Sequence, residues 1–287
     1  MKPRFAATSW SEDATPKVAA LARAEGTLEI AFRRRGEATV LDHLYQQGCA
    51  KARFPKVEAS SFTTAVTLNT SGGLTDGDRL STHVRWGEGT AATVASQAAE
   101  RAYRAMGDVP ARLDTHLAVA AGASAEWLPQ ETILFDGARL HRDLRIDVAG
   151  DASFLGLEQV IFGRTARGEV VRDGAFRDAW RVWRDGRLIY ADVFALKGDM
   201  QARLDGKAVA QGAIAAASII HVAPDAAERL AEVRNSLGHF TLWGASADDG
   251  MLMIRLLGET GAALRRMVLA ALAPLRGGRP VPKVWQI

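Results

Sequence analysis

Apolar side chains recur at every second position through most of the first 200 residues, and only a half-buried β-sheet places alternate residues on one face. Leu28, Ile30 and Phe32 alternate with Glu29, Ala31 and Arg33. Leu80, Thr82, Val84 and Trp86 repeat the pattern, as do Leu113, Thr115, Leu117 and Val119. Six Asp-Gly dipeptides, at Asp76, Asp136, Asp173, Asp185, Asp205 and Asp249, punctuate these runs. Asp-Gly accommodates the positive φ angles of tight hairpins, so each dipeptide is expected to mark such a turn. The clearest is Arg184-Asp185-Gly186-Arg187, between Trp180–Trp183 and Leu188–Tyr190. Short strands and frequent turns predict a mainly β architecture, not alternating βαβ units.

The last third of the chain changes period. Pro224 and Asp225 suit a helix start, Leu230, Val233 and Leu237 form a stripe, and Gly238 follows as a left-handed cap. A second helix is predicted over about Thr260–Ala273, with Leu264, Met267, Val268 and Ala271 on one face and Pro274 ending it. Met251–Leu257 between them reads as a buried strand. Lacking a repeat, a low-complexity tract or a linker, residues 1–287 are expected to form a single domain with 1–20 frayed and 224–275 as its helical layer.

The single cysteine, Cys49, excludes an internal disulfide and a multi-thiolate zinc site. No stretch approaches the roughly 18 uninterrupted apolar residues of a membrane span, and Met1–Trp10 lacks a secretory core. A cytoplasmic location is therefore expected. Charges of both signs are interspersed, Arg33-Arg34-Arg35 being the one short basic run, so neither nucleic acid nor membrane is an expected partner.

The most informative segment is Asn69–Tyr103. Gly72 and Gly77 have the spacing of a Walker A loop, but Asp78 and Arg79 stand where that loop needs Lys and then Ser or Thr, and an aspartate there repels phosphate. Gly72, Gly73 and Gly77 read equally as a loop between strands Ser61–Leu68 and Arg79–Trp86, with Asp78 at a crowded backbone site that a cation, water or partner could approach. The chain has no Gly-x-Ser-x-Gly elbow, and its six histidines lack metal-pair spacing. Glu158 lies inside the apolar run Phe154–Phe162 and must find an arginine, such as Arg164, or a water channel or a metal, because an unpartnered buried carboxylate is costly. Glu169, beyond Gly163 and Gly168, reads as a solvated acid. Glu131 with Glu158 leaves open a β-rich hydrolase that uses a carboxylate pair.

Gly72–Asp78, the block Gln97-Ala98-Ala99-Glu100-Arg101-Ala102-Tyr103, the string Trp127–Ala138 containing Gln130 and Glu131, and Gly163-Arg164-Thr165-Ala166-Arg167-Gly168-Glu169 together resemble the urease accessory proteins UreD, also called UreH. The likeness runs through Gly26–Thr39, Thr67–Leu80, Ser96–Arg104, Ala123–Leu140, Glu158–Gly174 and Arg255–Trp285. Asp76 replaces a frequent glycine of that family, and Ser96 a common threonine. The resemblance implies stacked β-sheets of short strands with two C-terminal α-helices. It also implies a non-catalytic metallochaperone that works in a hetero-oligomeric complex with UreF, the GTPase UreG and apo-urease, with GTP hydrolysis left to UreG. No cofactor would be held permanently. Ni2+ would pass transiently along internal, water-filled tunnels, for which Asp78, Glu158 and Glu169, with Asp136 as a fourth, are the candidate path acids. Carboxylates alone suit loose handling of a borderline cation better than storage.

Overall fold

The computed structural model describes residues 23–56, 62–164 and 167–286. The terminal stretch Ser9–Ala19, Ser61 of the expected strand, and Thr165 and Ala166 of the last motif lie outside these residues.

The protein is mainly β, built as two stacked sheets with helices on the outer face of one of them. Strands are numbered in chain order. The first sheet has seven: β1 (Glu25–Arg35), β2 (Ala38–Gly48), β5 (Arg79–Trp86), β8 (Ala111–Val119), β11 (Arg139–Val148), β13 (Ala175–Arg184) and β14 (Arg187–Lys197). Their spatial order is β14-β13-β11-β8-β5-β1-β2. The second sheet contains β3 (Ala50–Arg53), β4 (Thr63–Asn69), β6 (Ala91–Ser96), β7 (Glu100–Ala102), β9 (Ser124–Leu128), β10 (Thr132–Leu134), β12 (Ser153–Phe162), β15 (Ala215–Val222), β16 (Trp243–Asp248) and β17 (Met251–Gly258).

The middle of each sheet is parallel. In the first, β1, β5, β8, β11 and β13 pair in parallel. Parallel neighbours require a crossover, usually a helix. Here strands of the opposite sheet make the crossing: between β5 and β8 the chain passes through β6 and β7. This coiling explains why most Asp-Gly dipeptides are not hairpins. Only Asp185-Gly186 and Asp249-Gly250 join adjacent antiparallel strands, with φ of 48° and 78° in the first and 44° and 66° in the second. Asp76, Asp136, Asp173 and Asp205 lie in longer connections, where the next partner strand belongs to the other sheet or to a helical turn.

Between the sheets lie Phe32, Trp86, Leu117, Ile146 and Val182 from one side and Val94, Phe154 and Ile220 from the other. The helical layer covers the second sheet's outer face. After a short α1 (Met200–Leu204), α2 (Arg229–Leu237) and α3 (Gly261–Leu275) press Val233, Leu237, Leu264, Val268 and Leu272 against Leu155, Leu157, Ile219 and Ile254. β12 is thus buried on both faces, so its sequence from Phe154 to Phe162 is an apolar run broken by Glu158 and Gln159 alone, instead of an alternating one. Two details of the helices differ from expectation. Gly238 closes α2 in a right-handed conformation, φ −59°, and Pro274 sits inside the last turn of α3, where Thr260 caps the other end by accepting from the Ala263 amide at 3.0 Å.

Candidate functional site: a forked sheet and its buried charges

β12 runs unbroken for ten residues, but its parallel neighbour does not. Ser153–Gly156 pair with β9 and Val160–Phe162 pair with β10, so the backbone of Leu157–Gln159 faces a gap. Pro129 between β9 and β10 cannot donate to a ladder, and the Gln97–Ala99 loop separates β6 from β7 at the same level. Side chains bridge part of the fork: the Gln159 amide donates to the Pro129 carbonyl at 3.3 Å, and the Gln130 N–H to Ser96 Oγ at 2.8 Å.

Through this fork runs a cavity of about 240 Å³, large enough for several waters at roughly 10–15 Å³ each. Its inner wall includes Leu113, Thr115, Arg142 and Glu158, and its outer wall Asn69, Gly72 and Gln97–Arg101. Gln97 and Ala98 are exposed, so the cavity reaches the surface between β6 and β7. Leu68 and Gln97 also line a larger groove of about 670 Å³ between Arg53–Lys56 and the C-terminal segment Pro280–Val284.

At the inner end, alternation places Arg142 on the buried face of β11, in line with Leu140, Leu144 and Ile146. Its register partner on β13 is Asp178, likewise turned inward. Arg142 donates to both oxygens of Asp178, Nε at 2.9 Å and Nη2 at 2.6 Å. Nη1 turns the other way, to Glu158 Oε2 at 2.5 Å and Thr132 Oγ1 at 3.3 Å. Trp127 Nε1 donates to the remaining oxygen of Glu158 at 2.9 Å. The arginine that satisfies Glu158 is therefore Arg142, not Arg164. Burial pushes the Glu158 carboxyl above its ordinary value, against the charge of Arg142 and with the repulsion of Asp178. Burial alone would also pull the guanidinium down, but its two carboxylates outweigh that and keep it charged.

The other three candidate acids stand elsewhere, in a cluster of loops at one end of the sheets. Asp78 is buried and closes its own turn: the amides of Ala24 and Thr75 donate to its two oxygens at 2.7 and 2.8 Å. Gly73, at φ 146°, lets the Tyr103 ring lie where a Cβ would come within 2.3 Å of it, and the Tyr103 hydroxyl donates to the Gly72 carbonyl at 3.0 Å. Asp136 accepts from the amides of Arg172 and Asp173 at 2.9 and 3.0 Å and from the guanidinium of Arg104. Burial raises its carboxyl, but the two amides and Arg104 together bring it below the ordinary range. Glu169 is a half-buried partner of Arg164, not a free solvated acid: Nε and Nη2 donate to it at 2.9 Å, and these bonds hold its carboxyl low. Arg164 lies over the Phe135 ring, 4.5 Å from its centroid, and Tyr103 meets the same ring edge-on. Gly163, at φ 85°, passes so close to the Glu169 carbonyl that a Cβ would come within 2.5 Å.

The signature residues thus form two groups. Gln97, Trp127, Gln130 and Glu158 surround the fork, and Gly73, Gly77, Asp78, Tyr103, Asp136, Gly163, Arg164, Gly168 and Glu169 belong to the end loops, with Gly72 in both. Glu131 does not line the cavity, and its carbonyl accepts from the Glu100 amide at 2.9 Å. Arg142 and Asp178 are not singled out by the sequence motifs, and Glu100 enters them only as a member of the block Gln97–Tyr103. Glu100 lines the outer part of the cavity, accepts from Asn69 at 3.1 Å, and has its carboxyl pushed up by burial. Among the described residues no group of three or more His, Cys, Asp or Glu could hold a metal ion, and no helix is long and apolar enough to cross a membrane.

A second charged cluster lies beneath the C-terminal strap. Glu126 on β9 receives Arg276 at 3.0 and 2.9 Å, Arg279 at 2.8 Å and the Thr93 hydroxyl at 2.5 Å. Burial alone would raise its carboxyl, but the bonds and charge of Arg276, with those of Thr93 and Arg279, hold it below the ordinary value. Further along the strap, Trp285 Nε1 donates to the Leu128 carbonyl at 3.0 Å and the Gln130 amide donates to the Val284 carbonyl at 2.6 Å.

These features define a β-sandwich scaffold whose sheet opens around an internal cavity. The chain belongs to the UreD family: the model described as UreD urease accessory protein matches residues 24–286. It is 43% identical over 276 residues to a urease accessory protein UreD of Chelativorans sp. (strain BNC1), covering 96% of this chain and 98% of that one. The corresponding proteins of Sinorhizobium medicae and Rhizobium leguminosarum bv. viciae are 43% and 42% identical over 92% of this chain and 96% of theirs. The resemblance seen in the motifs is therefore one of membership.

Proposed function

We propose that the chain is a cytoplasmic, non-catalytic scaffold of urease maturation that joins UreF and UreG on apo-urease and passes Ni2+ towards its active site. The observation that carries the Ni2+ route in this reading is the cavity through the fork of the second sheet, open at Gln97–Ala98 and bordered at its inner end by the carboxylate of Glu158. A route of this kind needs room for a hydrated ion and few ligands, since several carboxylates closing on one point would retain it. Glu158 is the path acid best placed for contact with the ion. Asp78, Asp136 and Glu169, each held by backbone amides or an arginine, serve to shape the end loops, of which the turn closed by Asp78 borders the cavity through Gly72. Partner binding is supported by apolar side chains left exposed on the two outer strands of the first sheet, Leu41 and Tyr45 on β2 and Leu188 and Val193 on β14.

Ala98→Trp tests the route. A large ring at the mouth is expected to lower Ni2+-dependent activation of urease at least several-fold in a mixture with UreF, UreG and apo-urease, while assembly of the four proteins and the thermal midpoint of the chain stay unchanged. Full activation with the mouth filled would remove the cavity from the pathway.

A further inference from the structure

The charges at the inner end of the cavity do not balance. One guanidinium, Arg142, lies between two buried carboxyl groups, so with both of them ionised the group as a whole would carry −1. The two carboxylates are also held unequally. Asp178 grips Arg142 through a two-bond fork set by strand register, whereas Glu158 takes a single Nη1 contact, and of the two only Glu158 borders the cavity.

We propose that Arg142 is a tethered counter-ion that keeps cation binding in the cavity reversible. It neutralises Glu158 while the cavity holds water, turns fully to Asp178 when a divalent cation arrives at Glu158, and returns to displace that cation. The proposal rests on reading the cavity as the route of Ni2+, and it makes Arg142 a positioning residue acting through Glu158. Its physical basis is charge arithmetic in a medium where an unbalanced charge is expensive. With Arg142 and both carboxylates present, the group alternates between −1 without the cation and +1 with it, so neither state is much preferred. Without Arg142 the alternatives are −2 and 0, and the cation is trapped. Without the Asp178 charge they are 0 and +2, and the cation is refused.

The experiment uses the full chain and Ni2+ as probe. By equilibrium dialysis with elemental detection, Arg142→Met is expected to bind one Ni2+ per chain at least tenfold more tightly than the unsubstituted protein and to melt at higher temperature when Ni2+ is added. Asp178→Asn is expected to show neither gain. Both substitutions should lower urease activation, the first by retention and the second by exclusion. If Arg142→Met folds only with metal, refolding with Ni2+ is expected to recover it, and failure of Ni2+ to do so overturns the proposal. Equal affinity in Arg142→Met and the unsubstituted protein overturns it as well. Neither result depends on whether Ala98→Trp blocks activation, so the fate of the cavity as a route is decided separately.

Discussion

The two buried charge clusters use the same side-chain chemistry in opposite proportion. Beneath the strap, one carboxylate, Glu126, is surrounded by Arg276, Arg279 and a threonine hydroxyl, and its proton affinity falls. At the fork, one arginine serves two carboxylates beside open space, and the proton affinity of Glu158 rises. The first arrangement satisfies its acid several times over and acts as a clamp that fixes the end of α3 and the following residues to the sheet. The second leaves one carboxyl group without a cation of its own. Burial of an ion pair therefore says little by itself; which sign is outnumbered, and whether a cavity adjoins it, decides between fastening and exchange.

The contrast can be broken most directly at the clamp. Glu126→Gln leaves Arg276 and Arg279 without their counter-charge, and loss of one partner of a buried pair costs about 3–5 kcal/mol. Urea unfolding should show a loss of that size, and a change below about 1 kcal/mol would mean that the cluster is not a clamp. Acid sharpens the same point less drastically. Because the folded Glu126 carboxyl lies below its ordinary value of 4.5, its contribution is complete above that value and disappears as pH falls through the lower folded value. Stability followed by tryptophan fluorescence should fall through that acid window, and the fall should be shallower in Glu126→Gln.

A smaller effect is expected from Trp285→Phe, which keeps an aromatic ring in place but removes the donor to the Leu128 carbonyl. That lost hydrogen bond is worth about 1 kcal/mol, measurable as a shift of the denaturation midpoint. The least effect on stability belongs to Glu158→Gln. Its single amide oxygen keeps one of the two donors, Trp127 or Arg142, and leaves the other without its acceptor, but the exchange also removes a buried carboxylate that burial disfavours, so stability should stay within about 1 kcal/mol of the unsubstituted chain. Urease activation, in contrast, should fall several-fold. A stability loss matching that of Glu126→Gln would erase the difference between the clusters.

Much of the fold was legible because burial leaves a period. Alternation located β1, β5 and β8, the stripe on α3 emerged at its helical spacing, and Asp185-Gly186 marked a true hairpin. The coiling between sheets was not legible, since Asp136-Gly137 or Asp76-Gly77 looks locally like a hairpin turn whichever sheet the next strand joins. At the site, Glu158 stood out as an acid in an apolar run, but its partner did not. Arg142 could have been found by carrying the inward alternation of β11 through Leu140, Arg142 and Leu144, and Asp178 by doing the same on β13 from Phe176 to Trp180. Their pairing required the register of two parallel strands, which sequence order alone leaves open.

The fork also bears on how such a protein can change over generations. Its frame is main chain: an unbroken β12, a proline that ends one neighbour, and a loop that parts two others. An aperture bounded by backbone keeps its bore while the side chains around it drift, so evolution can retune what the opening admits without having to rebuild the opening itself.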